Sequence, residues 1–172
     1  MKESSIKRRY ITKLLSSIVN GIFAMIILAI VPKAIGPVAY GQFIYLQQFF
    51  TKVIAFLDSS SSIAFFTKLS AKPERKELIA FYLYYSIIIL CILSLFIYAL
   101  DWIGGIQNLF PDIEESFIYW GLGFVFLTWF TQLCIKISDA YALTITVELV
   151  KILHKALSLI LLISLIFIIS IL

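Results

Sequence analysis

Apolar residues gather in five stretches, at approximately 11–31, 39–66, 78–100, 117–138 and 148–172. About 20 mostly apolar residues suffice for a helix to cross a bilayer. The pattern therefore predicts an all-α, polytopic membrane bundle of about five transmembrane helices in one domain. Pro32 is expected to end the first helix, and the two prolines and two glycines of residues 32–41 to turn the chain back. The stretch at 78–100 carries no charge, and Tyr82, Tyr84, Tyr85 and Tyr98 near its ends read as interfacial anchors.

The second stretch is the most informative. It carries Gln47, Gln48, Lys52 and Asp58 at membrane depth. At about 100° per residue, Phe43, Leu46, Phe50, Val53, Ile54, Leu57, Ala64 and Phe65 fall on one side, a face that lipid tolerates. Gly41, Tyr45, Gln48, Lys52, Ala55, Ser59 and Ser62 fall on the other, with Gln47, Thr51 and Asp58 beside them. A charge at this depth costs roughly 2.5–3.5 kcal/mol even on insertion scales, so the polar face predicts neighbouring helices and a polar space between them. A second polar stripe joins Gly121, Thr128, Gln132 and Asp139, with Gly121 and Gly123 allowing close helix approach. Ser17, Asn20 and Ala24 share a face of the first helix. Glu148, Lys151 and Lys155 recur at helical spacing before the last apolar run. Either they form an amphipathic turn lying on the membrane, or one longer helix carries them inward.

Composition agrees with the pattern. The chain has 172 residues, 62% of them hydrophobic, and a mean hydropathy of +1.02, more than a chain can cover with polar surface in water. Its net charge of +4 does not point to nucleic acid, because the cations cluster between apolar stretches. Basic residues occupy the N-terminus, residues 67–77 and residues 136–155, whereas residues 101–116 hold four acids and no Lys or Arg. Five crossings with a cytoplasmic N-terminus satisfy the positive-inside rule at every loop. Cys91 and Cys134 read as buried, reduced thiols.

Recognisable chemistry is absent from the sequence. Glu114 and Glu115 are adjacent and do not face each other on a helix. The single His154 lacks the spaced partners of a metal site and reads as an interfacial residue beside Lys151 and Lys155. There is no phosphate-binding loop, dinucleotide turn or nucleophile elbow. The expectation is no enzyme, no catalytic residue, no metal and no cofactor. Lys52, Gln47 and Gln48 are the candidate substrate-binding residues. Asp58 and Asp139 are candidates for charge balance or proton coupling, and Asn20, Gln132 and Lys155 for facing a cavity. The competing reading of Lys52 is a structural ion pair with Asp58 or Asp139.

Three features carry a family resemblance. A basic N-terminus precedes an apolar helix. The segment Val31-Pro-Lys-Ala-Ile-Gly-Pro-Val-Ala-Tyr-Gly41 is similar to a Pro…Leu-Gly-Pro…Tyr/Phe-Gly signature. A long second helix closes on Leu57-Asp-Ser-Ser-Ser-Ser-Ile-Ala64, where the family has a Gly-rich turn and this chain has serines. On these residues the chain resembles the O-antigen flippases of the Wzx type, in the polysaccharide-export branch of the multidrug/oligosaccharidyl-lipid/polysaccharide exporter superfamily. The resemblance covers almost the whole chain but only about five of the family's roughly twelve helices. It implies part of an N-terminal six-helix lobe and a V-shaped, often cationic cavity. It also implies flipping of undecaprenyl-diphosphate-linked O-antigen units across the bacterial inner membrane, with the bilayer, that lipid-linked substrate and polysaccharide-assembly proteins as partners. An odd helix count and an end inside an apolar run suggest the first part of a longer protein. A non-transporting membrane subunit or scaffold, and a drug or small-solute exporter of the same superfamily, are the alternatives. The composition predicts that the protein sediments with membranes, resists an alkaline carbonate wash and is released by detergent; recovery in the soluble fraction would refute the membrane assignment.

Overall fold

A computed structural model describes residues 6–171 of the chain, and the described residues are helical throughout apart from short connections. The helices are α1 (Ile6–Ile35), α2 (Pro37–Asp58), α3 (Ser61–Ala71), α4 (Lys76–Trp102), α5 (Ile106–Leu109), α6 (Glu115–Ala140) and α7 (Thr144–Ile171). Among the described residues, three helices are long and apolar enough to cross a membrane, at Lys7–Ile35, Lys76–Trp102 and Glu115–Ala140. A fourth span is reached if α2 and α3, bent by 56° at their junction, count as one. The fifth expected span, 148–172, lies partly outside the described residues.

The elements correct the expected boundaries in three places. Helix α1 continues through Pro32 and stops only at Gly36, whose φ of 86° is left-handed. Pro32 gives up one backbone donor, but Gly36 N–H still donates to Pro32 O at 3.1 Å, so the last turn closes. Pro37 then opens α2 at the first helical position, where its missing N–H has no helical partner to lose. The second stretch is not one helix but two, broken at Ser59 and Ser60 with φ of 41° and 65°. At the other end, α7 is continuous from Thr144, so Glu148, Lys151 and Lys155 share one helix with the apolar run instead of forming a separate turn.

The chain divides into two compact units. One contains α1 and α7, from the two ends of the chain; the other is Gly41–Tyr141. In the first, the buried Ser16 hydroxyl donates to the buried Glu148 carboxylate. One turn further along α1 and two turns further along α7, Lys155 Nζ donates to Asn20 O at 3.3 Å. Both contacts advance together, so α1 and α7 run in the same direction.

In the second unit, Leu46, Phe50 and Ile54 of α2 recur every four residues and are buried against Ile89, Leu93 and Ile97 of α4 and Ile118, Leu122 and Val125 of α6. The apolar face of α2, expected to meet lipid, is therefore the protein core. Apolar character alone cannot separate the two environments, because hydrocarbon tails and packed side chains accept the same residues. Ile106, Phe110 and Ile113 close this core from the α4–α6 connection, although that stretch is acidic overall. Phe65 and Leu69 of α3, Tyr82 of α4 and Leu133 of α6 form a second cluster beyond the break. Tyr84 and Tyr98 are exposed as anchors should be, but Tyr82 is buried. Cys91 and Cys134 are exposed on the outer faces of α4 and α6, not buried, where a thiol serves as a small apolar group.

Helices α2 and α3 together reach both ends of this unit. Near the start of α2, Gln42 Nε2 donates to Asp112 O at 2.7 Å in the α4–α6 connection. Beyond the end of α3, Tyr141 Oη donates to Pro73 O at 2.9 Å. Helix α6 comes close to α2 at Gly121, where an added Cβ would lie 3.2 Å from Leu46 Cδ1 and 3.3 Å from Leu46 Cβ; at Gly123 an added Cβ meets nothing within 4 Å. Gly121→Leu should therefore cost about 1–3 kcal/mol through overpacking, while Gly123→Leu changes stability little. Unfolding of the detergent-solubilised protein by a denaturing detergent measures both, and equal effects would place the close contact elsewhere.

Candidate polar cavity beside a broken helix

The two polar stripes meet. Gln47, Thr51, Asp58 and Ser62 from α2–α3 face Thr128, Gln132 and Lys136 from α6 across a cavity of about 300 Å³, with Ile54, Ala55, Val125 and Trp129 completing its wall. Thr128, Gln132 and Lys136 follow each other at steps of four, which sets them on one face of α6. The side-chain amides of Gln47 and Gln132 have no hydrogen-bond partner among the described residues and are available to a ligand. Thr128 Oγ1 donates back to Phe124 O at 2.8 Å and keeps its acceptor lone pairs for the cavity.

At one end of the cavity the helix is broken, and its loose ends are tied by side chains. Asp58 is buried. Its carboxylate accepts from Ser62 N at 3.2 Å, from Ser62 Oγ at 2.7 Å and from the hydroxyl of Tyr82. Ser62 N belongs to the first turn of α3, so Asp58 answers an N–H that the helix leaves without a partner and sits where the helix dipole favours an anion. Ser60, the residue preceding α3, is left-handed and makes no side-chain cap, which leaves Asp58 to do the capping. On the α2 side, Tyr85 Oη donates to Leu57 O at 2.7 Å. Lys136 Nζ donates to Ser62 Oγ at 2.8 Å, so a single hydroxyl bridges this cation to Asp58. Left-handed serines at positions 59 and 60 cost about 1–2 kcal/mol each, and these five side chains hold them there.

The residues singled out from the sequence are not all brought together. Gln47, Asp58 and Gln132 share the cavity. Lys52 and Gln48 do not: they lie round α2 in an open groove with Tyr45, Phe49, Val53 and Phe56. Lys52 is exposed and is not the partner of Asp58, because Gln47 and Lys52 stand about 140° apart on the helix. Asp139 is half-buried near the end of α6, outside the cavity lining. Asn20 and Lys155 belong to the α1–α7 unit, where Asn20 Nδ2 donates to Ser16 Oγ at 3.0 Å and Lys151 pairs with Glu148 at 2.7 Å. Those two contacts lie within single helices, and Ser16–Glu148 and Lys155–Asn20 O fasten the two helices to each other.

Two residues of the site escaped the sequence reading. Tyr82 looked like an interfacial anchor, and Lys136 like part of a basic loop. The step of four from Gln132 was the signal for Lys136; nothing local distinguishes Tyr82 from Tyr84. Comparison with protein-family models, curated proteins and solved structures finds no match, so the chemistry of the cavity rests on this chain's own residues. Among the described residues no group of His, Cys, Asp and Glu is placed to hold a metal ion.

A buried carboxylate that loses a donor retains most of its desolvation penalty, and hydrogen bonds to charged groups are worth about 1.5–3 kcal/mol. Tyr82→Phe should therefore lower unfolding stability by that amount, whereas Tyr84→Phe, at an exposed position, should stay within about 0.5 kcal/mol. The same denaturing-detergent titration reads both, and equal values would remove Tyr82 from the network.

Proposed function

We propose that the chain is part of a flippase that moves undecaprenyl-diphosphate-linked O-antigen or related polysaccharide units across the bacterial inner membrane. The observation that carries this reading is the polar cavity beside the break between α2 and α3, a pair that together is long and apolar enough to count as one bent span. Irregular backbone within hydrocarbon survives only where protein or a water-filled space satisfies it. Transporters place their substrate sites at discontinuous helices of this kind. A scaffold packed against partner helices has no use for unpartnered amides lining such a space.

The substrate class follows from the resemblance to O-antigen flippases, and the cavity chemistry suits it. Gln47, Thr51, Thr128 and Gln132 offer the donors and acceptors that a hydroxyl-rich saccharide exchanges for water. Lys136 is the cation of the lining. Lys52 and Gln48, on the neighbouring face of α2, are the second polar group at that level.

The direction of the helices supports five crossings with a cytoplasmic N-terminus. Helices α1 and α7 run the same way, which requires an odd number of crossings between them. The α2–α3 pair as one bent span, with α4 and α6, supplies three. The basic residues of the α1 N-terminus and of the α3–α4 connection then fall on the cytoplasmic side.

In cells that depend on this protein, deletion should leave lipid-linked repeat units on the cytoplasmic leaflet and abolish their surface display. Re-expression of the full-length gene product should restore display. The double variant Gln47→Ala/Gln132→Ala, at normal membrane abundance, should reduce display about tenfold or more, the effect of losing one or two net hydrogen bonds to the head group. Display that survives deletion would overturn the flippase reading, and wild-type display from the double variant would remove the cavity from it.

A further inference from the structure

The cation of the cavity is not independent of the break in the helix. Lys136 Nζ reaches Ser62 Oγ at 2.8 Å, and the same hydroxyl donates to Asp58 Oδ2 at 2.7 Å. The charges of Lys136 and Asp58 therefore meet through one serine. Asp58 in turn caps α3 and so fixes where the helix restarts. Between Asp58 and the restart lie Ser59 and Ser60, both left-handed, a conformation that relaxes if the chain continues as one helix. The break is held against that relaxation by the Asp58 network, and three of its members, Asp58, Ser62 and Lys136, line the cavity.

We infer that Lys136 is a switchable cation: a phosphoryl or diphosphoryl group entering the cavity draws it from Ser62, weakens the hold of Asp58 on α3, and lets α2–α3 straighten. This rests on the proposed transport reading for its ligand class but adds a coupling that the reading does not contain. The physical requirement is differential binding. A ligand shifts a conformational equilibrium only by as much as it prefers one state. An anion gains the whole of the Lys136 charge in the straight state and shares it with Asp58 in the bent one. The coupling is reciprocal, so any change that frees Lys136 must tighten anion binding. Tyr82 and Ser62 are the other groups that face Asp58, from α4 and α3; when Lys136 leaves, the Ser62 contact is the one that loosens and Tyr82 keeps the carboxylate in place.

The test uses spin labels on the full chain in lipid nanodiscs. Cysteines replace Gln48 on α2 and Lys68 on α3, both exposed, in a Cys91→Ser/Cys134→Ser background. Inorganic pyrophosphate is the probe. Straightening a 56° bend should lengthen the label separation by about 3 Å, from the rise of the two helix arms. Lys136→Gln should show the longer distance without pyrophosphate and no response to it. Ser59→Gly/Ser60→Gly, which removes the left-handed strain without touching the polar network, should keep the short distance at pyrophosphate concentrations that lengthen the parent. Calorimetry should show Ser62→Ala binding pyrophosphate several-fold more tightly and Lys136→Gln several-fold more weakly than the parent. An unchanged distance in the parent at saturating pyrophosphate, or an equal response in Lys136→Gln, overturns the inference. If Lys136→Gln does not fold, the glycine double variant decides alone, and a parent-like lengthening there overturns it. Flipping with no pyrophosphate-driven movement would reject this coupling and leave the transport reading standing. Movement without flipping would reject the transport reading and leave the anion-coupled hinge.

Discussion

Backbone polar groups at a buried helix break must find partners within the protein, and the α2–α3 junction is where this chain meets that constraint. Ending one helix and starting another exposes carbonyls on one side and N–H groups on the other. Asp58 takes the Ser62 N–H, and Tyr85 takes the Leu57 carbonyl. The carboxylate that solves the first problem creates a second, because a buried charge needs its own donors. Tyr82 and Ser62 supply them, and Lys136 supplies the compensating charge through Ser62. Four side chains from α3, α4 and α6, together with Asp58 itself, are thus committed to one discontinuity.

The rest of the second unit follows from that commitment. With Tyr82 and Tyr85 drawn onto α2, the face of α4 that carries Ile89, Leu93 and Ile97 is set against Phe50 and Ile54. Gly121 brings α6 close to Leu46. Beyond that contact the α2–α3 and α6 faces are polar, and the space between them stays open as the cavity. The α1–α7 unit meets the same constraint with different residues: Glu148 is buried, accepts from Ser16 and pairs with Lys151. In both units a buried carboxylate organises neighbouring helices. In the second the carboxylate also borders an open polar space.

The break falls at two left-handed serines, instead of at glycines, so strain in the backbone opposes the capping network that maintains it. Glycines would leave the break unstrained; serines make its geometry depend on Asp58, Ser62 and Lys136.

Much of this was legible in the residues. Composition and the length of the apolar stretches determined an all-helical chain with helices long and apolar enough to cross a membrane. Helical periodicity determined that Gln47, Thr51 and Asp58 share one stripe and Thr128 and Gln132 another. Polar side chains at that depth required the stripes to find a polar space. What only the tertiary structure decided was which space. Lys52 has the same charge as Lys136 and lies nearer Asp58 in sequence, yet it is 140° round α2 from Gln47, and the packing of Leu46 and Phe50 turned it away. Tyr82 and Tyr84 are two residues apart and chemically identical. One is buried on Asp58 and the other faces outward, because side-chain direction alternates faster than any interfacial preference can register. The break at Ser59–Ser60 was hidden because four serines are compatible with a helix, and the groups that tie its ends, Tyr82 and Tyr85 of α4 and Lys136 of α6, are distant in sequence.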